Sequence, residues 1–367
     1  MSHGIITYNP NGKVNLNSLD NSPCLIGSFI TVADAGGSYS YPAYAGATIE
    51  IFAYGYNWFA SSTAFSVPTE FSIDYTLGYP RVSWLANPYS LSSVRALPMV
   101  VNVYLKTQAA AGDPFGLQIT NDNNEVITFR EGDNLHFVGK ATFVGELSRG
   151  YAPSNLAYRR SYSITTTDGF PIVFIQNIEG QLATLFSVAL SGNTYTFMVL
   201  TDTAAVPALY CFCRKTGNTT VGQYGVALYN AAGKLLLDPS ATTLNAPGYS
   251  VIITPAVTYG NTTWDNQAQW AYTAPSTSYL GTVGSMPTNS ATLMTAVQGF
   301  VGEFAGRYQT WWPKAFSLGV KRSFSSLYTG WLASNSIAAL SYNTIFPLYY
   351  NLNKDNRLYI IDTSVYD

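Results

Sequence analysis

Histidine is nearly absent from this 367-residue chain, with His3 and His136 the only two. A Ser-His-Asp triad would have to draw on one of them. His3 is close to the terminus. His136 sits in Asn-Leu-His-Phe-Val, a strand-like run where a half-exposed structural histidine is expected. Cysteine is also scarce: Cys24, Cys211 and Cys213. The last two form Cys-Phe-Cys. In a strand, residues i and i+2 point the same way, which suits a disulfide poorly, and no neighbouring histidine completes a zinc site. Small buried hydrophobes are the expected role, and an odd count without a framework fits synthesis in a reducing cytoplasm. Charge is thin: charged residues are 10% and the net charge is −2. That excludes the basic patch a nucleic-acid binder needs to neutralise phosphates. No run of 18 apolar residues occurs, and Met-Ser-His-Gly opens neither the basic nor the apolar part of a secretory signal. No membrane insertion is therefore expected. Gly-x-Ser-x-Gly, Walker, Rossmann and His-Glu-x-x-His motifs are all missing, so neither an enzyme nor a cofactor or metal site is expected. Asp265 with Glu303, and Glu50 with Glu70 and Asp74, are carboxylate sets of the kind glycoside hydrolysis uses. With 20 acids in the chain, however, such sets arise freely.

What the chain has in excess is aromatic: Tyr 28, Phe 19 and Trp 7. Tyr39, Tyr41 and Tyr44 lie in a Gly/Ser/Ala-rich stretch, followed by Tyr54-Gly-Tyr56-Asn-Trp58-Phe59. A second concentration holds Tyr259, Trp264, Trp270, Tyr272, Tyr279, Tyr308, Trp311 and Trp312. Tyr and Trp give contact area at low entropic cost and keep a polar handle, so Tyr41, Tyr44, Tyr56, Trp58, Trp264, Trp270, Tyr272, Trp311 and Trp312 are candidate host or partner contacts. Packing in a core or between subunits is the alternative reading.

Three segments repeat. They are Gly4–Leu16, Gly116–Phe129 and Gly225–Leu237, spaced by 112 and 109 residues. Each opens with Gly and places Asn five residues on (Asn9, Asn121, Asn230). Gly or Asn follows three later (Gly12, Asn124, Gly233), and a charge comes next. A further glycine recurs at a fixed offset: Gly27, Gly139, Gly248. An apolar run meeting Asn-x-x-Gly and then a second run predicts a β-hairpin, because Asn and Gly accept the positive φ of tight turns. The unit ends match too, as Pro98–Lys106, Pro207–Lys215 and, in the third, Pro347–Lys354. Three modules follow: 1–112, 113–221 and 222–367, the last enlarged by an aromatic-rich insertion at about 259–330.

Elsewhere short strands such as Phe71–Tyr75, Pro171–Ile175 and Thr194–Leu200 alternate with turn residues. The expected fold class is mainly β, as three tandem β-sandwich modules of about 110 residues. One helix candidate stands out in the insertion: Leu293, Val297, Phe300, Val301 and Phe304 fall at helical spacing after Ser290 or Asn289.

The unit Tyr224-Gly-Val-Ala-Leu-Tyr-Asn-Ala-Ala-Gly-Lys-Leu-Leu-Leu-Asp-Pro239 resembles the Gly-hydrophobic-Tyr-Asn-x-x-Gly hairpin of tail-tip and tail-fibre proteins of tailed bacteriophages, siphophages above all. Gly4–Leu16 resembles the same unit. Gly116–Phe129 departs from it at Thr120 and Asn124. The resemblance covers the hairpins and the modular plan. It implies a virion protein of the distal tail or baseplate, acting in host adsorption, with no catalytic residues. Its partners would be other tail proteins and a host-surface receptor (glycan, protein or pilus). Tail adhesins are commonly homotrimers or sit on a three-fold hub, which implies a homo-oligomer. Two further readings stand beside this one: a purely structural tail component with its aromatics between subunits, and a polysaccharide depolymerase.

Overall fold

The computed structural model describes residues 6–8, 14–17, 24–32, 35–57, 65–67, 71–85, 94–96, 98–107, 117–120, 126–129, 135–147, 157–214, 228–229, 235–237, 244, 248–251, 278–282, 287–294, 299–304, 310–324, 326–335, 340–341 and 356–367. In the first third the strands are β1 (Ile6–Tyr8), β2 (Val14–Asn17), β3 (Cys24–Ile30), β4 (Gly37–Ser40), β5 (Thr48–Tyr56), β6 (Phe65–Val67), β7 (Phe71–Asp74), β8 (Arg81–Trp84), β9 (Val94–Ala96) and β10 (Met99–Thr107). The middle holds β11 (Leu117–Thr120), β12 (Val126–Phe129), β13 (Leu135–Leu147), β14 (Tyr158–Thr165), β15 (Ile172–Gln176), β16 (Leu182–Ser191), β17 (Thr194–Thr201) and β18 (Leu209–Arg214). The last third holds β19 (Leu228–Tyr229), β20 (Leu235–Leu237), β21 (Gly248–Val251), β22 (Ser278–Thr282), β23 (Ser290–Met294), β24 (Gly299–Phe304), β25 (Thr310–Ser323), β26 (Ser326–Asn335), β27 (Leu340–Ser341) and β28 (Asn356–Asp362). The protein is mainly β, and among the described residues there is no α-helix.

Each repeated segment forms an antiparallel hairpin: β1 with β2, β11 with β12, and β19 with β20. The turn positions Asn9, Gly12, Asn121, Asn124, Asn230 and Gly233 lie outside the described residues. After each hairpin the same three-stranded pattern returns. In the first third β3 pairs with β10 and β10 with β5. In the middle β13 pairs with β18 and β18 with β15. In the last third β21 pairs with β28 and β28 with β23. The strand after the hairpin thus always takes the last strand of its unit as partner, and an intervening strand flanks that last strand. In the third unit the last strand is Asn356–Asp362. Pro347–Lys354, expected in that role, lies outside the described residues.

The units are joined through their strands. β15 pairs antiparallel with β23, giving the order β13, β18, β15, β23, β28, β21. This sheet curls until Leu244 N–H, just before β21, donates to the Leu135 carbonyl at the start of β13, at 2.7 Å. β5 meets β16 in a short parallel pairing, Ser187↔Gly55 and Val188↔Tyr56. β16 continues through β17 and β14 to the far half of β13, and also reaches β25. Burial follows the same plan. Leu25, Phe52, Tyr54, Val100 and Tyr104 share one core with Phe174, Phe212, Leu293, Tyr359 and Ile361, so all three units contribute to it. The structure does not set the expected tandem β-sandwich modules apart: strand pairing and the main core both cross the boundaries expected between them.

The first unit also has a second core. Ile49, Ile51 and Ala53 on β5 and Met99, Val101 and Val103 on β10 face Phe71, Val82 and Trp84 of the β4–β8–β7 sheet. Their neighbours Phe52, Tyr54, Val100 and Tyr104 face the central core. A strand buried on both faces reads as a near-continuous apolar run, as Met-Val-Val-Asn-Val-Tyr-Leu does.

The helix predicted over 293–304 is overturned, since Ser290–Met294 and Gly299–Phe304 are strands. Ala291 and Leu293 alternate into the core on β23, and its backbone pairs with β28 along its whole length. Residues from two separate strands had imitated a helical period.

Candidate functional site

The aromatic stretch after β3 builds one end of the first unit. Phe29 on β3, Tyr39 on β4 and Trp84 on β8 form a cluster with centroids 4.5, 5.2 and 6.0 Å apart and interplanar angles under 30°. Offset stacking of this kind adds to the burial energy of the rings. Trp84 Nε1 donates to the Ala35 carbonyl at 2.9 Å. Phe29 and Trp84 are buried, whereas Tyr39 is 49% exposed. At the same end of the unit, where β3 and β8 finish, Val32 and Leu85 are 66% and 53% exposed and Ile30 is also exposed. The described residues of this end are aromatic and apolar, the composition of a contact surface.

Tyr41 and Tyr44 are only partly exposed and pack against the core of the first unit. The Tyr41 ring lies over Gly27, and burial pushes its hydroxyl up to about 12. Tyr56 is partly buried against the central core. Trp58, Trp264, Trp270 and Tyr272 lie outside the described residues. Trp311 and Trp312 stand on β25, in register with Phe304 and Glu303 of β24. The structure therefore brings Tyr41 and Tyr44 to the rim of one core and sets Tyr56 apart from them. Tyr39 was legible in the same aromatic stretch. Ile30, Val32 and Leu85 were signalled only by apolar residues running past the strand ends.

Two hydrogen bonds hold polar groups in the interior. The Tyr359 hydroxyl donates to the buried Glu50 carboxylate, linking the last unit to the first. Ser28 Oγ donates to Asn102 Oδ1 at 2.7 Å. Burial raises the hydroxyls of Tyr54 and Tyr104 well above the ordinary tyrosine range, so both stay neutral. Glu50 faces this interior, whereas Asp74 lies on β7 and accepts from Thr76 N–H and Oγ1 at 2.8 and 2.9 Å, which lowers its pKa. The two do not share a cleft. Glu70 and Asp265 lie outside the described residues, and Glu303 is a strand position on β24.

His136 and Cys213 stand in register across β13 and β18. A cleft of about 440 Å³ is lined by His136, Phe137, Val138 and residues 165–168. Asp168 N–H donates to Thr166 Oγ1 at 3.1 Å in the turn that closes it. Cys213 Sγ donates to the Gly169 carbonyl at 3.6 Å, and burial pushes its thiol up to about 12. Cys211 is raised as well, again mainly by burial. A thiol held neutral at physiological pH is packing material rather than a nucleophile or a metal ligand. Among the described residues no group of three His, Cys, Asp or Glu side chains could hold a metal ion. Comparison with known proteins finds no matching family model, no similar curated protein and no similar solved structure.

Proposed function

We propose that this chain is a virion protein of the distal tail of a tailed bacteriophage, a tail-tip or tail-fibre component made in the host cytoplasm. It is non-enzymatic and takes part in adsorption to the host surface. It works as a homo-oligomer among other tail proteins, and its modules are β-sandwich units fused through shared strands. The observation that carries this reading is the hairpin: three repeated segments, of which Gly4–Leu16 and Gly225–Leu237 resemble the tail-protein unit and Gly116–Phe129 does so more weakly, each precede the same three-stranded pattern. The exposed aromatic and apolar side chains of Ile30, Val32, Tyr39 and Leu85 support the adhesive part of the reading.

The test is binding of the purified full chain to host cells, in competition with adsorption of the phage that encodes it. Saturable binding that blocks infection is the expected outcome. A folded chain that neither binds nor competes, yet is found in purified particles, moves the assignment to a purely structural tail role. The half-buried placement of Tyr41, Tyr44 and Tyr56 favours that second reading for those three rings.

A further inference from the structure

The β4–β8–β7 sheet of the first unit ends on β4, and among the described residues no strand pairs with the outer edge of β4. All of its residues, Gly37, Ser38, Tyr39 and Ser40, are exposed. An open edge is a template for another strand, and proteins blunt such edges with charge, proline or a bulge. Two other edges of this molecule are blunted in that way. β7, on the far side of the same sheet, carries Asp74. The half of β13 that pairs with β14 carries Glu146 and a bulge at Val144. β4 has no charge, no proline and an unbroken register with β8. Pro42 then starts a 3-10 turn, which confines the open edge to Gly37–Ser40.

The register fixes which groups this edge offers. Tyr41 N–H donates to the Pro80 carbonyl at 2.9 Å, one pair beyond Ser40↔Arg81. Hydrogen-bonded pairs alternate along an antiparallel ladder. Gly37 and Tyr39 therefore turn their backbone groups toward β8, and the N–H and C=O of Ser38 and Ser40 turn outward. Side chains alternate as well. The Tyr39 ring lies on the face of Phe29 and Trp84, with centroids 4.5 and 6.0 Å away. Ser38 and Ser40 lie on the opposite face, in register with Ser83 and Arg81.

A second copy of this chain fits that edge. The two outward residues stand symmetrically about Tyr39. An antiparallel approach about a two-fold axis through Tyr39 therefore sets Ser38 of each copy against Ser40 of the other. Each such pair exchanges two backbone hydrogen bonds. Tyr39 then meets its own copy at a non-hydrogen-bonded position, where side chains come closest, and an aromatic pair there stabilises the ladder. A two-fold contact uses the same patch on both partners, so a charged strand would oppose itself, and β4 carries no charge. The same step covers the Tyr39 ring, which is 49% exposed. We infer that the β4 edge is a self-pairing surface that joins the β4–β8–β7 sheets of two copies into one continuous sheet. This names one contact of the homo-oligomer proposed above and does not depend on the adsorption reading.

The test is sedimentation velocity of full-length chains over a concentration series, with a thermal melt of each. The chains are wild type, Ser38→Lys with Ser40→Lys, and Ser38→Lys with Ser40→Glu. Both positions are exposed, so all the chains melt alike. In the two-lysine chain like charges meet at every serine pair, and self-association weakens about 100-fold. In the Lys/Glu chain each lysine meets a glutamate, and association is at least that of wild type. Should the two-lysine chain melt low beside Arg81, Ser38→Glu with Ser40→Glu carries the comparison. A like-charged chain that associates as wild type does overturns the edge pairing and leaves the homo-oligomer standing on another contact. A Lys/Glu chain as weak as the like-charged one overturns the two-fold about Tyr39. A wild-type chain that stays monomeric overturns the pairing and the homo-oligomer together, and leaves the edge to a strand of another protein.

Discussion

Gly27 and Gly139 occupy the same offset in their repeats yet answer different local demands. In β3 the residue before Gly27, Ile26, is the extra one between the pairs Val103↔Gly27 and Tyr104↔Leu25. In β13 the residue before Gly139, Val138, is the extra one between Phe137↔Phe212 and Gly139↔Cys211. A bulge therefore recurs at one place in both units, and bulges re-aim the chain around them. Gly139 has φ 138°, which an L side chain rarely adopts. Gly27 instead leaves room for Tyr41, since a Cβ there would come 2.9 Å from the ring and its hydroxyl. Gly27→Ala is expected to cost about 1–3 kcal/mol as an overpacking change. Tyr41→Ala in the same chain should recover part of that loss, which a denaturant-unfolding cycle of the four chains would measure. The recurrence of the glycine was readable from the repeat. The Tyr41 contact was not, because it depends on where the chain brings Tyr41 back over β3.

At the scale of elements, the pairing of β15 with β23 turns two units into one curled sheet. The two backbone pairs there, Ile175↔Thr292 and Gln176↔Ala291, are few, and polar side chains extend the seam. Asn177 Nδ2 donates to Ser290 Oγ at 3.0 Å and to Thr292 Oγ1 at 2.6 Å, and Asn177 N–H donates to the Ser290 carbonyl at 2.8 Å. Asn177→Ala should cost about 1–3 kcal/mol by leaving Thr292 and Ser290 short of a donor. Hydrogen exchange should show faster opening of β15 and β23 than of β14 and β17. If β23 exchanges as slowly as in the wild type, the seam is held by the core alone. The individual strands were legible as short alternating runs between turn residues. The choice of β23 as neighbour of β15 was not, because the partners stand more than 100 residues apart and nothing local marks them.

At the scale of the whole molecule, the shared core predicts one unfolding transition. Residues from 1–112, 113–221 and 222–367 line it together, so a fragment ending at residue 221 loses Leu293, Tyr359 and Ile361 from the packing around Phe174 and Phe212. That fragment is expected to bind a hydrophobic dye and to lack a cooperative melt. A cooperative melt in the fragment would mean that the units fold independently. The buried tyrosines make a second global prediction. Burial raises Tyr41 from 10.0 to about 12, and raises Tyr162, Tyr195 and Tyr210 in the same direction. The folded state thus holds these protons more tightly than the unfolded chain. Their contribution is fully present below pH 10 and is lost as pH rises toward 12. Stability should be flat on the alkaline side up to about pH 10 and then fall. The part of the tyrosinate absorbance that belongs to these four rings should rise together with loss of the β signal in circular dichroism, as the difference between wild type and the matching Tyr→Phe variants. A rise from these four rings well below that range would show that they are accessible to solvent.

The amino-acid sequence by itself determined the β class and the position of the three hairpins, together with the recurrence of a glycine after each. Period-two alternation, β-branched runs and Asn/Gly punctuation act between neighbours in the chain, so they are written there. It also determined the thin charge and the aromatic surplus. Only the tertiary structure decided which rings are displayed. Tyr41 and Tyr56 turn toward cores, while Tyr39 on the exposed strand β4 and Phe324 in the turn after β25 face solvent, because long-range strand pairing rather than the neighbouring residues sets which side is covered. It also decided that Leu293 belongs to a strand, since β28 supplies backbone partners that local spacing cannot foresee.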